Sequence, residues 1–318
     1  MTFLRLAVLA AMTAGPAGAM TFYSVGTADL DGGYYRVAAR ICDHANRDGD
    51  AEVRCSPEPT PGSVYNLMAL RRGQLDLAIV QSDWHRDAWD GVSLFQDGGP
   101  MTELRSVLSL YPEQATLLVR RGSGVAEFRD LEGKRVDIGH PSSGRHATFL
   151  TLLSAYGMKE DDFSEVTELL TGPALDALCA GAVDATLLVT GHPSATVART
   201  LERCDVQVLP LAGPEVDRLV QANAGFSQGA IPAGSYPQLA RPVATFEVRA
   251  TVVARADTDP AIVTDFVRAT LGGLDALRRD DPLLAGLTSE AMRTEGLSAP
   301  LHPAAEAAFA AFRASPSQ

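Results

Sequence analysis

Positive charge is scarce in this chain of 318 residues: 27 Lys and Arg stand against 39 Asp and Glu, for a net charge of −12. Nucleic acid requires a basic face, so that class of partner is excluded. Beyond the first residues no apolar run is long enough to span a bilayer, which takes about 20 residues. The sequence has no GxGxxG, no Walker loop, no HExxH and no GxSxG elbow, which excludes the usual cofactor and catalytic frameworks. Ser143 and His146 lie one helical turn apart, but no third orienting residue accompanies them. Asp29-Leu30-Asp31-Gly32 opens like a calcium loop and lacks the closing Glu. No enzyme, no cofactor and no metal site is expected.

Cysteine is also sparse. The four residues Cys42, Cys55, Cys179 and Cys204 have no CxxC spacing and no histidines at zinc-finger distance, which argues against metal binding. They permit three disulfide pairings. The local ones, Cys42-Cys55 and Cys179-Cys204, are favoured because each ties a helix to the strand after it, worth roughly 3–4 kcal/mol per loop in the chain-entropy model. Disulfides require an oxidising compartment, and the first residues supply the route. Arg5, the apolar run Leu4 to Ala14 and the small residues Ala17-Gly18-Ala19 have the layout of a cleaved signal peptide over residues 1–19. The alternatives are a buried first strand or a short anchor, which Gly15 and Pro16 interrupt too early. Export to the periplasm is expected, as a monomer.

What remains is an alternation of short apolar runs with helical patterns. Strand Phe22–Thr27, helix Tyr34–Asn46, strand Glu52–Cys55, a loop through Pro57, Pro59 and Pro61, helix Ser63–Arg72 and strand Leu75–Val80 predict a parallel sheet faced by helices. Ser63 is the expected N-cap and Gly73 the C-cap of the second helix. A second α/β unit begins at Arg135–Gly139 and runs through helix Arg145–Tyr156, strand Val166–Leu170, helix Pro173–Ala180, strand Ala185–Val189, helix Ser194–Arg203 and strand Val206–Leu209. Two long extended stretches, Leu104–Arg120 and Thr245–Ala254, predict crossings between two lobes. The expected division is 20–110 with 250–318 for lobe 1, and 111–249 for lobe 2.

Ligands of α/β sheets lie beyond the carboxyl ends of the strands, where helix N-termini offer free N–H groups to anions. The candidate contacts are therefore the residues of those loops. From the first unit they are Thr27, Tyr34, Tyr35, Ser63, Asn66, Gln81 and Asp83; Gln81 suits an amide or amino acid, and Asp83 a ligand ammonium. From the second they are Ser142, Ser143, Arg145, Thr190 and His192, with Arg145 expected to grip a carboxylate through two parallel hydrogen bonds. Each has a plain alternative: a tyrosine in the core, a serine cap followed by a solvated arginine, a structural histidine.

Five segments in order carry a family resemblance: Asp31-Gly32-Gly33-Tyr34-Tyr35, Gly62-Ser63-Val64-Tyr65-Asn66-Leu67, Gly73 to Asp83, Leu131-Glu132-Gly133-Lys134-Arg135-Val136, and Thr190-Gly191-His192-Pro193. The chain resembles the TAXI-type extracytoplasmic solute receptors of tripartite ATP-independent periplasmic (TRAP) transporters. That resemblance implies a type II periplasmic-binding-protein fold, with two α/β lobes joined by two hinge strands. It implies a small organic anion, such as a carboxylate or acidic amino acid, and a TRAP membrane permease as partner. The family's second-lobe loop commonly reads Ser-Gly-Thr-Arg, where this chain has Ser142-Ser143-Gly144-Arg145. A periplasmic sensing subunit of a signalling system is the alternative that sequence leaves open.

Overall fold

A computed structural model describes residues 20–50 and 52–314; the expected signal peptide lies outside the described residues. The first unit runs β1 (Thr21–Gly26), α1 (Gly33–Asp48), β2 (Val53–Glu58), α2 (Ser63–Arg71), β3 (Leu77–Gln81) and α3 (Ser82–Asp90). Strand β4 (Leu104–Arg120) then crosses to the second unit: β5 (Arg135–Asp137), α4 (Gly144–Tyr156), β6 (Glu165–Thr167), α5 (Thr171–Cys179), β7 (Ala185–Thr190), α6 (Ala195–Arg203), β8 (Val206–Leu209), α7 (Pro214–Ala222) and β9 (Ser227–Ile231). Strand β10 (Val243–Arg255) returns, and α8 (Pro260–Gly272), α9 (Leu274–Asp280), α10 (Ser289–Thr294) and α11 (Pro303–Ala314) follow.

The sheet order is β2-β1-β3-β10-β4-β7-β5-β6, with β8 also on β4 and β9 on β10. Strands β1, β2 and β3 pair in parallel, as do β5, β6 and β7, because each connection is a helix. The two crossings run antiparallel to each other and to β3 and β7. Two α/β lobes result, each with its own core. In β4, Leu108, Leu110 and Tyr111 pack in the first core, whereas Ala115, Leu117 and Val119 pack in the second. In β10, Phe246 and Val248 belong to the second core, and Ala250, Val252 and Ala254 to the first. Both strands therefore change allegiance within a few residues of Pro112 and Arg249, which face each other beside a register shift. Proline lacks the ladder N–H and is confined inside sheets to edges and bulges.

Some local expectations shift. Strand β2 continues through Pro57 to Glu58, which is tolerated because β2 is an edge strand. Ser63 is not a cap: Gly62 occupies that position at φ 115°, and the Ser63 Oγ accepts from the Gln81 backbone N–H at 3.1 Å. Ser82 and Asp83 open helix α3 rather than extending a loop. The bridge Cys42–Cys55 ties α1 to β2, while Cys179–Cys204 joins the C-terminal ends of α5 and α6 rather than a helix and its following strand. Among the described residues no helix is long and apolar enough to cross a membrane.

Candidate functional site

Strand ends and helix starts of both lobes meet around a cavity of about 460 Å³, within the size range of small-molecule sites. The N-terminal ends of six helices contribute to its wall: Gly33 and Tyr34 of α1, Ser63 of α2, Gln81 before α3, Gly144 and Arg145 of α4, Thr171 and Gly172 of α5, and Ser194 with Thr196 at α6. Helices α1, α2, α3 and α5 have no side-chain cap, so their first amides need other acceptors; on α2 the Tyr65 N–H finds one in the Ser142 carbonyl. Leu175, Leu188 and the Cys179–Cys204 bridge also line it.

The lobes touch around this cavity. The Tyr65 N–H donates to the Ser142 carbonyl at 3.1 Å, and the Arg199 Nη2 reaches the Asp31 Oδ2 at 3.1 Å. The Thr196 hydroxyl donates to the Asp31 carbonyl, and on another face Ser82 Oγ donates to the Gly225 carbonyl at 2.9 Å. Contact is closest at Gly144, where a Cβ would overlap the Gln81 Oε1 and stand 2.9 Å from the Ser63 Oγ. This is a closed arrangement.

Six of the sequence-derived candidates line the cavity: Tyr34, Ser63, Gln81, Ser143, Arg145 and Thr190. Ser143 caps α4, its Oγ accepting from the His146 N–H and donating to the His140 carbonyl. Arg145 differs from expectation in its chemistry. Its guanidinium donates to Asp137 Oδ2 at 2.8 Å, to Thr186 Oγ1 and the Leu187 carbonyl at 3.2 Å, and to the Leu169 carbonyl. Asp137 is fully buried and also accepts from Thr186 Oγ1 and the Leu169 N–H. The arginine is thus a neutralised strut of the second lobe, and no fork is left for a ligand carboxylate.

The other six stand outside the wall. Thr27 is buried, with its hydroxyl on the Glu58 carbonyl at 2.7 Å. Asn66 donates to the Thr27 and Ile79 carbonyls, tying together the loops behind the cavity. Tyr35 follows Tyr34 on α1, where Tyr34 is buried and Tyr35 is not among the residues lining the cavity. Ser142 is held by the His140 ring and by Tyr65. His192 lies between Thr116 Oγ1 at 2.9 Å and the Tyr236 hydroxyl at 2.6 Å, and burial lowers its pKa to about 4. Asp83 is buried, neither carboxyl oxygen meets a donor, and burial raises its pKa well above the carboxylate range.

The wall also contains residues that sequence reasoning passed over: Asp31, Glu113, Thr171 and Arg199. Glu113 follows Pro112 on β4 and accepts a 2.6 Å hydrogen bond from the Tyr34 hydroxyl. Burial pushes its carboxyl up to about 8, the Tyr34 bond opposing and the Asp83 charge adding to the shift. The lone acid of the long extended run, directly after Pro112, is the signal that marks it.

The same architecture occurs in solved structures. A protein of Bordetella bronchiseptica RB50 superposes with a TM-score of 0.54 at 17% identity, covering 92% of this chain and 89% of that one. The alkanesulfonate-binding protein SsuA of Xanthomonas axonopodis pv. citri, bound to MOPS, gives 0.50 at 17% identity over 95% and 96%. The effector-binding domain of QuiR in complex with shikimate gives 0.50 at 10% identity over 79% and 95%. At such identities the likeness speaks for the fold, the type II periplasmic-binding-protein arrangement of two α/β lobes joined by two hinge strands. Sequence gives the closer tie: the NMT1-like family pattern spans residues 25–310, and the chain belongs to that family.

Proposed function

We propose that the protein is an extracytoplasmic solute receptor that captures a small organic anion, such as a carboxylate or acidic amino acid, and delivers it as a monomer in the periplasm to a TRAP membrane permease. The lobes 20–110 with 250–318, and 111–249, are the bodies that close. The observation that carries the ligand reading is the convergence of six helix N-termini on one cavity between the lobes. Each such end bears about half a positive charge and N–H donors, so together they favour an anion. The five ordered sequence motifs support the TRAP assignment. The fold relative named for alkanesulfonate binding, bound to the sulfonate MOPS, is in keeping with it. Closure transmits occupancy only if the ligand prefers the closed state.

The test is to unfold and refold the mature protein to strip carried-over solute, then screen carboxylates, sulfonates, amino acids and keto acids by thermal shift with calorimetric confirmation. A rise in Tm with one class of anion is expected. No shift across the whole panel overturns the anion-receptor reading. Uptake of the identified solute by vesicles holding a TRAP permease, dependent on this protein, is the expected transport result.

A further inference from the structure

The inner end of the cavity gathers hydrogen-bond acceptors and no free cation. Glu113 is 4% exposed and lines the cavity, with Tyr34 donating to its Oε2. Gln81, 3% exposed, lines the same end, and its Oε1 meets no donor. Asp83 lies near enough behind them for its charge to act on Glu113, and both its oxygens are unpartnered. Among the described residues no Lys, Arg or His forms an ion pair with Glu113 or Asp83. Of the wall's three arginines, Arg145 is paired with Asp137 and Arg199 with Asp31, while Arg203 at the end of α6 is exposed.

Buried acceptors without donors are costly unless something arrives to satisfy them, and a buried acid that keeps its proton when alone ionises once a cation reaches it. An ammonium supplies three donors and one positive charge in a compact group. We propose that this inner end receives a cationic ammonium group of the ligand, with Glu113 as counter-charge and the Gln81 Oε1 as second acceptor. The ligand is therefore a zwitterion of amino-acid type, its acidic end on the helix N-termini and its ammonium on Glu113. This rests on the receptor reading above and narrows it, since a plain carboxylate or dicarboxylate would leave the Gln81 Oε1 without a donor and bring no counter-charge to Glu113. Glu113 becomes the residue that sets specificity.

Matched pairs that differ only in the amino group test it by calorimetry on refolded wild-type protein: L-glutamate against glutarate, L-aspartate against succinate, L-leucine against 4-methylpentanoate. The amino member of the pair that fits is expected to bind at least about tenfold more tightly, as close charge pairs do in buried sites. In Glu113→Gln that ratio is expected to fall toward one. Binding with no preference for the amino member, or a preference that survives in Glu113→Gln, overturns the inference while the receptor reading stands. Absence of binding by every member of every pair, together with binding of a non-amino anion from the wider screen, also overturns it. The wild-type comparison decides the matter even if the variant fails to fold.

Discussion

Arg145 and Asp137 form a 2.8 Å ion pair inside the second lobe, at 8% and 0% side-chain exposure. The pair links the start of α4 to the end of β5, and through Thr186 and Leu169 to β7 and the approach to α5. Removing one partner strands a buried charge. Arg145→Ala is expected to lower unfolding stability by about 3–5 kcal/mol, read from urea denaturation. An arginine serving the ligand instead would leave stability intact and abolish affinity; that pattern would overturn the strut assignment.

Gly144 sits where the lobes come closest, against the Gln81 amide and the Ser63 hydroxyl. Gly144→Ala is expected to weaken ligand binding roughly tenfold, because either Gln81 must turn away or the lobes must stop short of closure. Its unfolding stability should change by less than about 1 kcal/mol, since alanine is the better helix former. Scattering with and without ligand reports closure directly. Full closure with unchanged affinity would show that the contact is slack.

Glu113 makes the stability of the ligand-free protein depend on pH. Its folded pKa, about 8, lies above the ordinary carboxylate value, so the folded state holds a proton that the unfolded chain releases. Its contribution is fully present below the unfolded pKa near 4.5 and is lost as pH rises through about 8. The groups facing it are Tyr34 from α1, Tyr111 from its own strand and Asp83 from α3. Asp83 shifts the same way and adds its own slope. The difference between wild type and Glu113→Gln therefore isolates this carboxyl, and should decline across that window. A flat difference would mean that Glu113 is already ionised in the empty protein.

Much of the architecture was legible in residue order. Short apolar runs separated by helical patterns do specify parallel strands with helical crossovers, and the long stretches around Tyr111-Pro112 and Val252 do form the crossings. The site was only half legible, for a physical reason. Loop composition tells which side chains could meet a ligand, but not which are consumed holding the loops in place. Asn66, Thr27 and His192 have the right chemistry, yet their polar atoms are taken up by neighbouring carbonyls and hydroxyls. Arg145 has the right charge, yet Asp137, eight residues earlier in sequence, cancels it. Glu113 was hidden because a crossing strand reads as a connector, although it lies at the junction that both lobes share.

That junction has a mechanical consequence. The two crossings lie side by side and change core at facing residues, Pro112 and Arg249. They form one narrow ribbon, and a ribbon bends readily about a single axis while resisting twist and sideways slip. Opening and closing should therefore behave as a swing along one coordinate, with every contact across the cavity made or broken in step. Under that constraint no cross-cavity contact loosens independently, so a ligand that satisfies Gln81 biases the same motion as one that reaches Asp31. The protein would then occupy two shapes with few intermediates.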